Sequence, residues 1–189
     1  MVIEQTLVLI KPDGVSRNLI GKIITRFEDM GLKIVAMKMV WADKKLAENH
    51  YYLDEGWAKN VFEKAKATSE KEGRPFPYKD YIEYGRKIQN WNMAFLQEGP
   101  VVAIVLEGPH AVEIVRKVVG TTEPRQSPPG TIRGDYAMIE SYVLAENKER
   151  VTRNLVHASD SVNSAKREIA LWFSPNEIYS YKKEIDKTF

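Results

Sequence analysis

Six consecutive apolar residues, Val101-Val102-Ala103-Ile104-Val105-Leu106, are fenced by Gly99-Pro100 on one side and Gly108-Pro109 on the other. A run this short, bounded by chain-breaking dipeptides, reads as a buried strand. It is far too short to cross a bilayer, which takes about 20 apolar residues in a helix. Two further strands precede it. Thr6-Leu7-Val8-Leu9-Ile10 is apolar until Pro12 ends it, and residues 32–41 are rich in Ile, Val and Met. Between these two, Leu19, Ile20, Ile23, Ile24 and Phe27 recur at helical spacing, with Gly31 placed to close the helix.

The pattern then repeats. Asp43 can cap a short helix running to Tyr51. After the third strand, Val112, Val115 and Val119 mark a helix that ends at Gly120. Residues 121–134 form a long loop stiffened by Pro124, Pro128 and Pro129. Residues 136–144 read as a strand, and Ala165, Ile169, Trp172 and Phe173 mark a last helix. The order βαβ, then βαβ, predicts an α+β fold: a ferredoxin-like βαββαβ sandwich, an antiparallel four-stranded sheet with helices on one face. In the C-terminal segment, residues 179–189, Tyr181, Ile185 and Phe189 keep helical spacing and need a surface to cover.

At 189 residues the chain predicts one domain, residues 1–189. Hydrophobic content of 43% and charged content of 29% are globular values. A net charge of +2 implies no nucleic-acid or membrane partner. With no cysteine there is neither a disulfide framework nor a thiolate metal site. No signal-peptide pattern opens the chain, so a cytoplasmic location is expected.

Chemistry concentrates in Asn154-Leu155-Val156-His157-Ala158-Ser159-Asp160-Ser161, which sets one histidine beside Asn, Ser and Asp just before the last helix. An imidazole near neutrality is a nucleophile able to carry a phosphoryl group. Lys11-Pro12-Asp13-Gly14 follows the first strand, and Pro129-Gly130-Thr131-Ile132-Arg133-Gly134-Asp135 lies upstream of the histidine. Neither a P-loop nor a Gly-x-Gly-x-x-Gly loop is present, so the common ATP motifs are missing. His50 reads as a packing residue at the end of its short helix. His110 follows Gly-Pro in an exposed turn.

Those three segments, in that order, resemble the nucleoside diphosphate kinases of the archaeal type. The resemblance runs from Thr6 to about Tyr181 and is broken by insertions at residues 54–84 and 141–150. Trp57, Val61, Phe62 and Ala65 fall on one side of a helix in the first. Both read as surface elaborations, or as contacts that build an oligomer or shape the nucleotide cleft.

The resemblance implies a ping-pong transfer of the γ-phosphate from a nucleoside triphosphate to a nucleoside diphosphate, through a phosphohistidine at His157. Ser159 and Glu168 then match the pair that orients the histidine. Lys11 matches a contact to phosphate and the ribose 3′-hydroxyl, and Asn154 matches the amide on that hydroxyl. Arg116 and Arg133 match the phosphate clamp, Thr122 a phosphate-touching hydroxyl, and Tyr51 a phenol near the γ-phosphate. Val151 matches one half of an apolar base sandwich. The other half falls on Ile88 when counted back from Gly99-Pro100, or on Phe76 when Arg74-Pro75-Phe76 is matched by pattern. Mg²⁺ is implied as a passenger on the phosphates, with no metal ligand from the protein. A homo-oligomer is implied too, a hexamer built as a trimer of dimers.

Overall fold

The computed structural model describes residues 2–184. Four strands form one sheet: β1 (Ile3–Ile10), β2 (Lys33–Val40), β3 (Val101–Pro109) and β4 (Val156–Ala158). Their order across the sheet is β2-β3-β1-β4, and every neighbouring pair is antiparallel. The helices are α1 (Pro12–Ser16), α2 (Ile20–Glu28), α3 (Lys44–His50), α4 (Glu55–Lys71), α5 (Tyr81–Gln97), α6 (Ala111–Val119), α7 (Ile132–Tyr136), α8 (Tyr142–Asn147) and α9 (Val162–Trp172).

The central strands explain why their sequences are apolar without interruption. In β1, Val8 and Ile10 enter one core with Leu19, Ile23 and Phe27 from the α2 side and Val115 and Val119 of α6. Leu7 and Leu9 enter a second core with Ala47 of α3, Leu96 of α5, and Ile169 and Trp172 of α9. Alternate side chains of a strand point to opposite faces, so helices on both faces require an unbroken apolar run. The sheet is therefore covered on both faces, where the sequence predicted one. Strand β2 lies at an edge and alternates instead; Met37 and Met39 are 54% and 58% exposed.

Residues 136–144 are not a strand. Tyr136 ends α7, and Ser141 caps α8 by accepting from the Leu144 amide at 3.1 Å. The edge of β1 that such a strand would need is taken by β4, with His157 opposite Leu9. The fourth strand is thus the histidine segment itself. The predicted helical stripe at residues 179–189 is also absent where it is described. Residues 179–184 are non-helical and lie along β2, where the Tyr179 amide donates to Val35 and the Tyr181 hydroxyl to Ile34. Ile185 and Phe189 lie outside the described residues.

The first insertion is a helical hairpin. Asp54 and Asp80 cap α4 and α5 by accepting from backbone amides. A Cβ on Gly85 would stand 2.7 Å from the Ala58 Cβ, so glycine permits the close crossing of the two helices. Phe62, Phe76, Tyr78 and Tyr84 pack edge to face beyond that crossing. The tip reaches the second insertion: Arg74 pairs with Glu146 of α8 at 3.3 Å, and Glu72 pairs with Arg125 at 2.7 Å.

Candidate functional site

His157 is placed by β4, whose pairing with β1 sets its side chain at the sheet's edge, 21% exposed. Its Nε2 lies 2.9 Å from Glu168 Oε2, and the Ser159 hydroxyl donates to the same oxygen at 2.7 Å. Ser159 is itself held by the Leu7 amide at 3.3 Å. Glu168 projects from α9 and is 5% exposed. Burial pushes its carboxyl up, but His157 and the two hydrogen bonds outweigh this and hold it below the usual range. An ionised carboxylate only accepts, so His157 presents its N–H at Nε2, and in the neutral ring the lone pair lies on Nδ1.

Lys11 ends β1 and caps α1. Its ammonium is buried and donates to Asn154 Oδ1 at 2.9 Å. The Asn154 amide donates to the Thr122 carbonyl at 2.9 Å, which ties the loop after α6 to the histidine segment. Burial lowers the Lys11 pKa to about 8, with repulsion from Arg133 adding and Asp13 opposing.

Arg133 lies at the start of α7 and is 8% exposed. Its guanidinium donates to four backbone carbonyls: Asn154 at 3.1 Å, Gly120 at 3.0 Å, Thr121 at 2.8 Å and Val156 at 2.6 Å. Burial lowers its pKa to about 10, and Arg116 repels it. Its neighbour Gly134 leaves no room for a side chain, since a Cβ there would stand 2.1 Å from the Pro128 carbonyl oxygen. Arg116 is exposed on the outer side of α6, and Thr122 is exposed just beyond it. Tyr51 follows α3 half-buried, its ring 4.6 Å from that of His50; burial raises its phenol well above the usual range, so it stays protonated.

The predicted histidine, its two orienting residues, Lys11, Asn154 and Arg133 thus meet at one end of the sheet. Ile88 and Val151 are both half-buried. Phe76 is engaged in the aromatic cluster of the hairpin. One residue was missed. Asp13 is buried, and its carboxylate accepts from the Gly14 amide at 3.0 Å and the Leu155 amide at 3.1 Å. That bond holds Leu155 at a φ of 66° beside Asn154. The signal was available: an acid directly after Pro in the turn that carries Lys11. His50 packs at the end of α3, as expected. It is buried with its ring 4.4 Å from that of His157, a closeness between α3 and β4 that no local pattern reveals.

Three cations, Lys11, Arg116 and Arg133, crowd this end; burial chiefly lowers the pKa values of Lys11 and Arg133, and repulsion of Lys11 by Arg133 and of Arg133 by Arg116 adds to it. A fold tolerates such a cluster where an anion is to be bound. Among the described residues, His50, His157 and Glu168 are the side chains near enough to share a metal ion. Two imidazoles and one carboxylate suit a transition metal and not Mg²⁺, which prefers oxygen ligands.

The chain matches the family model described as nucleoside diphosphate kinase over residues 4–74 and 78–178. It is 47% identical to the nucleoside diphosphate kinase of Pyrobaculum aerophilum, covering 94% of this chain and 99% of that protein. Against the enzyme of the same name from Pyrococcus furiosus it is 45% identical, covering 97% and 91%. Among solved structures it is similar to an NDP kinase from Pyrobaculum aerophilum, with a TM-score of 0.90 at 44% identity, covering 95% of this chain and 100% of that one. It also resembles a transition-state mimic of the Borrelia burgdorferi nucleoside-diphosphate kinase with bound vanadate and ADP. There the TM-score is 0.81 at 36% identity, covering 100% and 97%.

Proposed function

This chain belongs to the nucleoside diphosphate kinase family, and we propose from that premise that His157 is the residue through which it transfers phosphate. The enzyme moves the γ-phosphate of a nucleoside triphosphate to a nucleoside diphosphate. The His157 Nδ1 lone pair attacks the γ-phosphorus as its bond to the bridging oxygen breaks, and the diphosphate leaves with the electron pair. A terminal oxygen of a second diphosphate then takes the phosphoryl group, and the nitrogen–phosphorus bond breaks. The observation that carries this reading is the buried Glu168 carboxylate, fixed by Ser159, which holds the proton on Nε2 and frees Nδ1. Incubation with labelled ATP tests it. An acid-labile, alkali-stable phosphoprotein is expected, and its absence would sink the assignment.

Around that nitrogen, Arg116, Arg133, Thr122 and Tyr51 are the groups we assign to the phosphates, where charge spreads over the transferring oxygens. Phosphoryl transfer of this kind generally employs a divalent cation, and we assign Mg²⁺ to it, borne by the substrate. The only side chains near enough to share an ion, among the described residues, include the nucleophile and lack an oxygen cage. Substrate-borne Mg²⁺ supplies charge neutralisation on the phosphates; the protein's part is positioning.

Lys11 and Asn154, already bonded to each other at 2.9 Å, form the pair we assign to the ribose 3′-hydroxyl. Val151 and Ile88 are assigned to the base. Both are apolar and read no base edge, so purine and pyrimidine nucleotides should react within a modest range. Deoxynucleotides should react and 2′,3′-dideoxynucleotides should be much slower. Equal kcat/KM for the two would show that neither side chain meets that hydroxyl.

Lys11 also predicts a pH limb. Its folded pKa is lowered to about 8, so below that pH the ammonium is charged and attracts polyphosphate. As pH rises through about 8 the charge is lost in the free enzyme, and kcat/KM for the nucleotide should fall. Bound phosphate favours the protonated form, so kcat should hold to higher pH than kcat/KM. The limb should vanish in Lys11→Gln; its persistence would assign the titration elsewhere.

We further propose a homohexamer in the cytoplasm. Trp41 and Met39, both at the β2 edge, are 66% and 58% exposed, and Met138 and Ile139, between α7 and α8, are 60% and 90% exposed. Two separate apolar surfaces suit the two kinds of contact in a trimer of dimers. Among the described residues no helix is long and apolar enough to cross a membrane. Light scattering at micromolar concentration should give the mass of six 21.7 kDa chains. A monomer or simple dimer would show that the insertions have remodelled the assembly.

A further inference from the structure

His50 packs against the nucleophile, yet has no part in the transfer described above. It is the last residue of α3 and 4% exposed. Its ring stands at 80° to that of His157, centroids 4.4 Å apart, and at 87° to that of Trp172 at 5.7 Å. The Trp172 indole nitrogen donates to His50 Nδ1 at 3.3 Å. An indole nitrogen donates and never accepts, so Nδ1 must carry a lone pair. Burial, reinforced by His157, Lys11 and Arg167, holds His50 well below the usual histidine range. The ring is therefore neutral, with its proton on Nε2. That nitrogen is buried and has no hydrogen-bond partner among the described residues. A buried N–H left unmatched beside a reacting group calls for a reason.

Two readings compete. His50, His157 and Glu168 each offer a ligand atom within 4.8 Å of the others, a set that suits Zn²⁺. A metal there would occupy the nucleophile's ring and stop transfer. But a metal on His50 Nδ1 would have to displace the Trp172 N–H, and one on Nε2 needs a lone pair there. The proton would have to move to Nδ1 and face the Trp172 N–H, donor against donor. The Trp172 bond therefore opposes the metal and leaves the second reading. Glu168 fixes His157 through Nε2, within the plane of the ring. The orthogonal contact with His50 restrains it about the other axis, as edge-to-face ring pairs do.

We propose that Trp172 locks His50 in its Nε2–H tautomer, and that the locked ring is a positioning residue for His157 that also bars transition-metal ions from the His50–His157–Glu168 cluster. The inference rests on His157 being the nucleophile, and its tests separate the two. The first needs no variant. Imidazole ¹⁵N NMR of the wild-type enzyme should show His50 neutral and protonated at Nε2; a proton on Nδ1 overturns the proposal. The second uses Zn²⁺ as the probe, by calorimetry on the full chain without nucleotide. Trp172→Phe keeps a ring and removes the donor. It should bind one Zn²⁺ per chain at least tenfold more tightly than wild type, and Zn²⁺ should block its phosphorylation by labelled ATP. Adding His50→Phe should abolish the gain. Equal Zn²⁺ affinity in wild type and Trp172→Phe overturns the lock. The third is kinetic. His50→Phe should slow phosphoenzyme formation roughly tenfold while nucleotide KM stays within about twofold, since a misaimed nucleophile loses rate and not binding. An unchanged rate removes the positioning role. Failure of wild type to form any phosphohistidine would instead remove the nucleophile assignment, and the tautomer measurement would stand by itself.

Discussion

His157→Ala is expected to abolish nucleotide-to-nucleotide transfer, with a loss of at least about 10⁴-fold, as when a covalent nucleophile is deleted. The fold should survive. The side chain is 21% exposed, and β4 is held to β1 by backbone pairing that alanine leaves in place. One cost is expected. Glu168 is 5% exposed and would keep Ser159 and Arg167 but lose the imidazole partner that helps hold it ionised. A buried acceptor that loses a partner costs about 1–3 kcal/mol. Stability should therefore drop modestly while far-UV circular dichroism stays native. ATP-to-dTDP transfer and labelled phosphoprotein are the readouts, and retained phosphoenzyme in the variant would exclude His157 as the nucleophile.

That experiment probes the part of the site most legible in the sequence. Asn154, His157 and Ser159 sit in one segment, and their mutual nearness follows from chain connectivity alone. Lys11 and the Arg133 turn were legible as motifs, though their meeting with that segment depends on the antiparallel pairing of β1 and β4. Glu168 was assigned by resemblance, and only the packing of α9 on β1 brings it within 2.9 Å of the imidazole. Residues 136–144 misled because Tyr136, Ala137, Met138 and Ile139 are apolar in sequence. Met138 and Ile139 are in fact exposed, and the sheet edge is occupied by three residues too short to read as a strand. The one-face expectation failed for a related reason. An unbroken apolar strand fits a two-faced core, because alternate side chains point to opposite faces. Asp13 and His50 meet tertiary neighbours, Leu155, Trp172 and His157, that lie more than a hundred residues away in the chain. The first insertion showed an amphipathic helix, but the Arg74–Glu146 pair that joins it to the second, and the Glu72–Arg125 pair that ties it to the loop after α6, have no local signature.

The second large effect is expected at Arg133, and it should differ in kind from that of Arg116, its partner in the proposed phosphate clamp. Arg133 gives hydrogen bonds to the carbonyls of Gly120, Thr121, Asn154 and Val156, joining the end of α6, the loop beyond it and both sides of the turn into β4. Four of its five N–H groups are thereby committed to the backbone, which leaves one for a phosphate oxygen. Arg133→Ala strands these carbonyls in a buried site, and about 3 kcal/mol or more of stability should go with them. In a chain of this size that lowers the melting temperature by roughly 10 °C. Turnover should fall about 10²–10³-fold, because the group that remains for the transition state is lost and the Asn154 segment is loosened as well. Arg116 makes the contrast. It is exposed on α6, and Arg116→Ala should cut kcat more than it weakens nucleotide affinity, with the melting temperature nearly unchanged. Arg133→Lys should behave like Arg133→Ala in the melt, since one ammonium cannot reproduce a planar fork spread over four carbonyls. Thermal denaturation of the three variants beside their steady-state kinetics decides the matter. Were Arg133→Ala to melt with the wild type, its bonds to the backbone would hold nothing in place, and Arg133 would be a phosphate ligand alone.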